Sequence, residues 1–229
     1  KNKHSRFNIE FIRTLVMLGD FEQAFAFSKK IWKEEAPLFE ADLLLGLDFF
    51  IKKDYTNAEK YFERLNEISR YDLYFDNFVG NTLMAWNKAS ENKMEDSFLY
   101  IKNIPKPYYH LKKIQSTFLR CYFDSHETSK FYEELIKNKD YNFSRYNFFL
   151  VNYFLYKDKI DEAKKIIKKS RKKDGSNLLL KQTEEFILKD KKEKIINFFS
   201  CNNSQDALAE FFYIIANLYS SEKDYKLSN

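Results

Sequence analysis

Glycine and proline are scarce in this chain of 229 residues, which has four Gly and three Pro. A protein built from β-hairpins needs many such residues in its turns, so this scarcity excludes a hairpin-rich sheet fold. The composition is nevertheless 44% hydrophobic and 32% charged. That balance allows a buried core beneath a polar surface, and we therefore predict an all-α protein.

The residues from which catalytic and metal sites are built are also sparse. None of the three His lies four residues from another, as a zinc-binding HExxH helix would require. Four scattered Gly cannot form a phosphate-binding loop, and no GxSxG motif occurs. Adjacent acids such as Glu184 and Glu185 point in different directions on a helix and do not form an acid/base pair. We predict no enzymatic activity and no cofactor or metal.

Cysteine is limited to Cys121 and Cys201, without a CxxC motif. In the repeat register described below these residues lie about two repeats apart. Because repeats of a solenoid contact only their neighbours, we do not expect a bridge between them. Two free thiols slightly favour a cytoplasmic location. A periplasmic location stays open, because the chain begins with Lys1 rather than Met and we expect its native N-terminus to be missing.

Long hydrophobic runs are absent as well. The sequence has no stretch of about 18 consecutive apolar residues, so we predict no membrane span and a soluble protein.

A spaced motif occupies residues 41–65. Leu45-Gly46 is followed by Phe49, and twelve residues after Gly46 comes Ala58, followed by Phe62. Two small residues at this spacing would let a pair of antiparallel helices approach closely, with the aromatic rings filling the space beside them. The same pattern recurs 34 residues earlier, where Ala24 follows a turn at 19–20.

This pattern resembles the tetratricopeptide repeat, and the richness in Lys, Asn, Phe and Tyr is similar to that of bacterial members encoded by AT-rich genes. The resemblance implies a right-handed α-solenoid of antiparallel helix pairs. The small positions of further copies are Ser97, Thr128, Ala163 and either Lys194 or Ile195, and a last copy has Ala216 and Ser228. We predict a single domain over residues 1–229, with about six helix pairs and the first helix of a seventh. The alternative is a generic amphipathic helical bundle.

The last helix presents an apolar face formed by Leu208, Phe211, Phe212, Ile215, Leu218 and Tyr219. Its partner helix would begin near Lys226, close to the end of the sequence. Since the end of a solenoid is normally capped by a polar face, we expect further repeats and a longer parent protein.

The resemblance also implies that first helices line a concave binding face. Mapped onto this chain, the face includes Leu47, Phe50, Trp86, Phe118, Arg145, Phe148, Asn152 and Tyr213. Such an apolar and aromatic groove suits an amphipathic helix or an extended peptide, so we predict a protein–protein interaction scaffold. Some family members hold a peptide carboxylate with Lys and Asn, and that clamp is absent here. A shift of one residue in register would place these side chains in the core instead.

Two alternative functions rest on other features. The stretch 157–173 carries nine Lys or Arg, and it could bind nucleic acid or an anionic surface. Its simpler interpretation is a solvated helix face whose cations suit the C-terminal end of the helix dipole. No aromatic residue lies in 164–174, which argues against stacking of single-stranded bases, and nucleic acid is not the expected partner. The chain could also be the docking arm of an enzyme whose catalytic part lies elsewhere.

Overall fold

The computed structural model describes residues 2–33, 38–68, 77–137 and 144–221, without the side chains of residues 2–5, 68 and 218–221. Over these ranges the chain forms thirteen α-helices and no strand, which confirms the all-α prediction. The helices are α1 (Asn2–Met17), α2 (Phe21–Ile31), α3 (Phe39–Ile51), α4 (Tyr55–Ile68), α5 (Phe78–Ser90), α6 (Met94–Lys102), α7 (Tyr109–Tyr122), α8 (Thr128–Lys137), α9 (Tyr146–Tyr156), α10 (Ile160–Lys173), α11 (Leu178–Leu188), α12 (Lys192–Ile196) and α13 (Ser204–Ser221).

Helices adjacent in sequence pack against each other. The packed pairs run consecutively from α1 to α6, and again from α8 to α12. The first helices of neighbouring pairs also contact, as α1 does with α3 and α9 with α11. This arrangement is that of a helical repeat, in which each pair buries its apolar face against the next.

The turn inside each helix pair has the same conformation. Its αL residues are Gly19, Lys53, Asn92, Asp124, Asp158 and Asp190. In every case the following N–H donates to the carbonyl five residues earlier, as Asp54 does to Phe49 at 2.9 Å. This is the Schellman ending of a helix. Gly, Asn and Asp tolerate the left-handed conformation best, so five of the six turns use a suited residue.

The small residues predicted at the start of second helices are all fully buried. Ala24, Ala58, Ser97, Thr128 and Ala163 each have 0% exposure. In the sixth pair Ile195 is 1% exposed and takes this position, whereas Lys194 is exposed. Ser228, the candidate in the last copy, lies outside the described residues.

Gly46 shows why the pattern requires a small residue. A Cβ atom placed on Gly46 would lie 2.6 Å from Cδ1 of Phe62 and closer still to Cε1. Phe62 is itself 0% exposed, so its ring is held within the interior. The helices α3 and α4 therefore approach at a distance that only glycine permits.

The helices divide into two compact units, residues 1–112 with 211–229 and residues 113–210. In the first unit, Phe78 of α5 stacks on Tyr108 at 4.7 Å between ring centroids and meets Phe211 of α13 at 5.4 Å. In the second unit, Phe118 of α7, Phe149 of α9 and Phe199 form one aromatic cluster. The prediction of a single repeat domain over 1–229 stays a prediction.

The expectation that Cys121 and Cys201 stay unbridged is wrong. They form a disulfide with their Cα atoms 5.7 Å apart. The reason is that α12 ends after five residues, and the chain that follows it folds back toward α7 instead of continuing the stack. Two elements that a regular solenoid would keep apart are thereby brought into contact.

The apolar face expected to be open on the last helix is partly covered. Leu208 and Phe211 are only 4% and 1% exposed, so they belong to the core. The side chains of Leu218 and Tyr219, and the helix expected near Lys226, lie outside the described residues.

Candidate partner-binding site

Three of the predicted groove residues lie in the interior. Phe50 is 1% exposed, and Trp86 and Phe118 are 0% exposed. Phe118 belongs to the aromatic cluster with Phe149 and Phe199. Since these side chains already pack within their own chain, they offer no surface to a partner in this conformation.

Asn152 is also buried, and it has an internal role. Its Nδ2 donates to the backbone carbonyls of Ile195 and Phe199, both at 2.8 Å. These two carbonyls belong to the last turn of α12 and to the segment after it. The carboxamide therefore fixes this irregular segment to α9, because a buried carbonyl left without a donor would be costly.

Arg145 is neutralised by its own chain. Its Nε donates to Oε1 of Glu210 at 2.8 Å and its Nη2 to Oε2 at 2.7 Å, a bidentate ion pair. The Glu210 side chain is 5% exposed, whereas that of Arg145 is 31% exposed. Leu47 is half-buried, and Tyr213 is 49% exposed. Of the predicted set, only Leu47, Arg145 and Tyr213 reach the surface to this extent.

Phe148 lies at the base of a cleft that the sequence did not reveal as a whole. The cleft is enclosed by α9, α11, α12 and the segment after α12, and its volume is about 140 Å³. It is lined by Phe148, Leu179, Gln182, Thr183, Phe186, Lys194, Ile195 and Phe198. An apolar cavity of about 150 Å³ is enough to hold benzene, so this cleft accommodates one large apolar side chain.

Phe198 forms an exposed wall of this cleft. Its ring meets that of Phe148 edge-to-face at 5.4 Å between centroids, yet Phe198 is 63% exposed. Phe148 by contrast is 2% exposed. An aromatic ring held by a buried one, with its other face in solvent, is a suitable contact for an apolar group of a partner.

Lys194 is the one charged residue among the described residues that line the cleft. Its Nζ lies 5.5 Å from the centroid of the Phe186 ring, a cation–π contact. Lys194 is exposed, and it makes no ion pair within the described parts of the chain. The cleft therefore combines an apolar base with one available cation at its rim.

The irregular wall of the cleft is held by covalent and polar links. The disulfide ties Cys201 to α7, and Asn152 ties Phe199 and Ile195 to α9. The backbone N–H of Ser200 also donates to Oδ2 of Asp206 at 2.8 Å. Phe198 lies between these attachments, so its position is fixed without regular secondary structure.

Two interior ionisable groups with shifted pKa values are not among the residues that line this cleft. Burial raises the pKa of Asp42, while hydrogen bonds from Trp32 and the charge of Arg64 oppose the increase. Burial also raises the pKa of Tyr132 well above its ordinary value, and nearby Tyr146 and Glu210 add to the effect. Both are interior groups with no exposure, so their shifts report packing rather than a reacting centre.

No cluster of three or more His, Cys, Asp or Glu with the geometry of a metal site occurs among residues 2–33, 38–68, 77–137 and 144–221. Within these same ranges, none of the helices has the length and apolar character needed to cross a membrane.

The sequence patterns predicted one member of the cleft, Phe148, and missed the rest. The sequence predicts Lys194 or Ile195 only as the small residue of the sixth helix pair, and not as part of a binding surface. The signal was nevertheless present, since Ile195-Ile196 and Phe198-Phe199 continue an apolar run beyond the point where the repeat pattern fails. No family model, curated protein or solved structure matches this chain.

Proposed function

We propose that the chain is a tetratricopeptide-type scaffold that binds a peptide segment of another protein. The twelve-residue spacing of small residues, their complete burial and the six identical turns support this type of repeat. Right-handed coiling of the helix pairs is part of the proposal. Fold alone does not define function, so the binding role rests on the cleft.

The observation that carries the proposal is the exposed Phe198 beside an apolar cleft with Lys194 at its rim. A peptide with one large apolar residue would fill the cleft. An Asp or Glu next to that residue would pair with the Lys194 ammonium. Aromatic anchors in such pockets commonly supply most of the binding energy.

Leu47 and Tyr213 stay proposed as secondary contacts, because both are partly exposed on first helices. Arg145 is a weaker candidate, since its guanidinium is engaged by Glu210. Phe50, Trp86 and Phe118 are proposed only as supports of the scaffold.

Selection of peptides from a random phage-displayed library on the whole chain would test this function. We expect a consensus that contains a large apolar residue beside Asp or Glu. In fluorescence anisotropy, Phe198→Ala should lower the affinity for a selected peptide by about 10-fold or more. Lys194→Glu should remove the preference for peptides that carry Asp or Glu beside the apolar residue.

Leu188→Ala is the matched control, because Leu188 is 77% exposed and does not line the cleft. Its affinity for the same peptide should equal that of the wild type. A failure to select any peptide, or equal binding by the wild type and Phe198→Ala, would refute the proposed site.

A further inference from the structure

The helix α10 carries a row of lysines that the peptide cleft does not use. Six of them form what we call the basic ridge, Lys164, Lys165, Lys168, Lys169, Lys172 and Lys173. All six are exposed. The buried side of the same helix consists of Ala163, Ile167 and Ser170.

The positive charge of the basic ridge is not neutralised by ion pairs within the described residues. None of its six lysines forms an ion pair within the described residues. Of the nearby acids, Glu184 binds Arg171 at 3.1 Å and Glu185 lies 4.0 Å from Lys189. Asp161 and Glu162 lie in the first turn of α10, before the ridge begins, so the six lysines still leave the helix with a large excess of positive charge. The lysines stand four residues apart in two parallel rows, and like charges at this spacing repel each other. An external anion would relieve that repulsion.

The spacing of the lysines suits an extended anionic surface better than a single small anion. Residues 164 to 172 span about 12 Å along a helix, and successive lysines of a row are about 6 Å apart. Lysine acts as a point charge, whereas bidentate recognition of single phosphates uses Arg. The one Arg of α10, Arg171, is engaged by Glu184 and by the carbonyl of Gly175.

An exposed apolar side chain follows the ridge closely in sequence. Leu178 opens α11 and is 79% exposed, five residues after Lys173. Lys181 follows one turn later and is also exposed. Cations combined with an exposed leucine suit the boundary between lipid headgroups and acyl chains. Nucleic acid would use the lysines and have no use for the leucine.

The disulfide favours the same partner. Structural disulfides persist mainly in oxidising compartments outside the cytosol, where nucleic acid is scarce. The absence of aromatic residues among Lys164–Lys173 of α10 removes the stacking contacts that single strands require.

We propose that the basic ridge, with Leu178 beside it, docks the chain on an anionic phospholipid surface. The helix does not insert, because its apolar side is covered by α9 and α11. Contact is made by the lysine ammonium groups with lipid phosphates, and Leu178 enters the headgroup region. The peptide cleft is a separate feature, so this docking does not depend on the function proposed above.

Flotation of the 229-residue chain with vesicles is the direct test. Vesicles of phosphatidylcholine with about 30% phosphatidylglycerol should bind the chain, and pure phosphatidylcholine vesicles should not. Salt at about 1 M, where the screening length falls to about 3 Å, should release it.

Replacing one row of the ridge gives the sharper result. The triple variant Lys164→Gln, Lys168→Gln, Lys172→Gln should bind the anionic vesicles roughly 100-fold more weakly, since each lysine near such a surface contributes about a factor of five. Leu178→Ala should weaken binding severalfold without changing its salt dependence. The four substituted positions are exposed, so the circular dichroism spectrum of each variant should not change.

The matched control carries the same change of charge elsewhere, at the exposed Lys29, Lys30 and Lys102. It should bind like the wild type. Equal loss in both triple variants would overturn the proposal, as would equal binding to neutral and anionic vesicles. Tighter binding to duplex DNA than to the anionic vesicles at about 0.15 M salt would identify the ridge as a nucleic-acid site instead.

Discussion

The second and sixth helix pairs use the same turn but complete their packing in different ways. In the second pair, α4 has 14 residues and Phe62 fits against Gly46. In the sixth pair, α12 has five residues, and the segment after it takes the place of the rest of the helix. In the first arrangement the two helices approach closely where the Phe62 ring meets Gly46. The second leaves a cleft, and it is held by a disulfide and by the carboxamide of Asn152.

A helix pair of this chain can therefore lose part of its helix packing where a disulfide and side-chain hydrogen bonds from distant residues hold the backbone instead. The N-cap residue of α12, Lys191, makes no side-chain cap hydrogen bond, so the N-terminus of this five-residue helix lacks the stabilisation that a Ser, Thr, Asp or Asn would supply. Phe199 is drawn into the aromatic cluster with Phe118 and Phe149 rather than continuing a helix. The shortened helix thereby leaves Phe198 at the surface.

Removal of the disulfide should have the largest effect on this contrast. The bond closes a loop across 80 residues, and the double variant Cys121→Ala, Cys201→Ala should lose about 4 kcal/mol of unfolding free energy. Urea denaturation measures the loss. Hydrogen exchange should increase in residues 192–203 and stay unchanged in α3 and α4. Equal loosening of both helix pairs would mean that the bond supports the whole chain rather than the sixth pair.

Gly46→Ala should destabilise the packing of α3 against α4 in the second helix pair. The added Cβ would overlap the Phe62 ring, and overpacking of this kind costs about 2 kcal/mol, more than the helix propensity that Ala gains. Thermal unfolding followed by circular dichroism measures the change. Gly175→Ala is the control, because its Cβ would meet only the Arg171 carbonyl at 3.7 Å. A Gly46→Ala protein as stable as the control would show that α3 and α4 can separate freely.

Asn152→Ala should weaken only the sixth pair. It leaves the buried carbonyl of Phe199 without a donor, at a cost of about 2 kcal/mol, whereas the carbonyl of Ile195 keeps the N–H of Phe198 at 3.3 Å. The control is Asn197→Ala, since Asn197 is exposed. Chemical denaturation of both variants separates the two effects. The same stability in both would contradict the role given to this carboxamide.

Replacement of Asp42 in the second helix pair should have the smallest effect, a change in how the unfolding free energy depends on pH. It accepts hydrogen bonds from Trp32 and Arg64, but burial raises its pKa above that of the unfolded chain. A raised carboxyl pKa stabilises the fold most below the unfolded pKa, and that contribution is lost as pH rises through the folded value.

The unfolding free energy of the wild type should therefore fall relative to that of Asp42→Asn between about pH 4 and pH 7. Denaturation at both pH values measures the difference. A relative gain by the wild type on raising the pH would mean that the Arg64 charge outweighs burial and lowers the pKa.

The regular part of the fold was predictable because its signals are local. Gly46, Ala58 and Ala24 specify close helix pairs, and a turn residue lies five positions before each of the two alanines. The helix pairs with a degenerate repeat pattern keep the same turn, because Asn92 and Asp190 adopt the αL conformation there as Gly19 does in the first pair.

The cleft and the disulfide could not be predicted in the same way. Both depend on where the chain goes after α12 stops, which is decided by contacts with residues far away in sequence, such as Phe118 and Asn152. Trp86 and Phe118 were wrongly predicted to face the groove for a related reason. A first helix that packs on both neighbours buries residues that a register alone would place in a groove.

Hydrogen exchange of the chain with and without a selected peptide tests the central claim most directly. The account predicts new protection in residues 192–199, around Lys194 and Phe198, and its loss in Phe198→Ala. Protection confined to α3 and α13, around Leu47 and Tyr213, would contradict it and place the partner on the first helices instead.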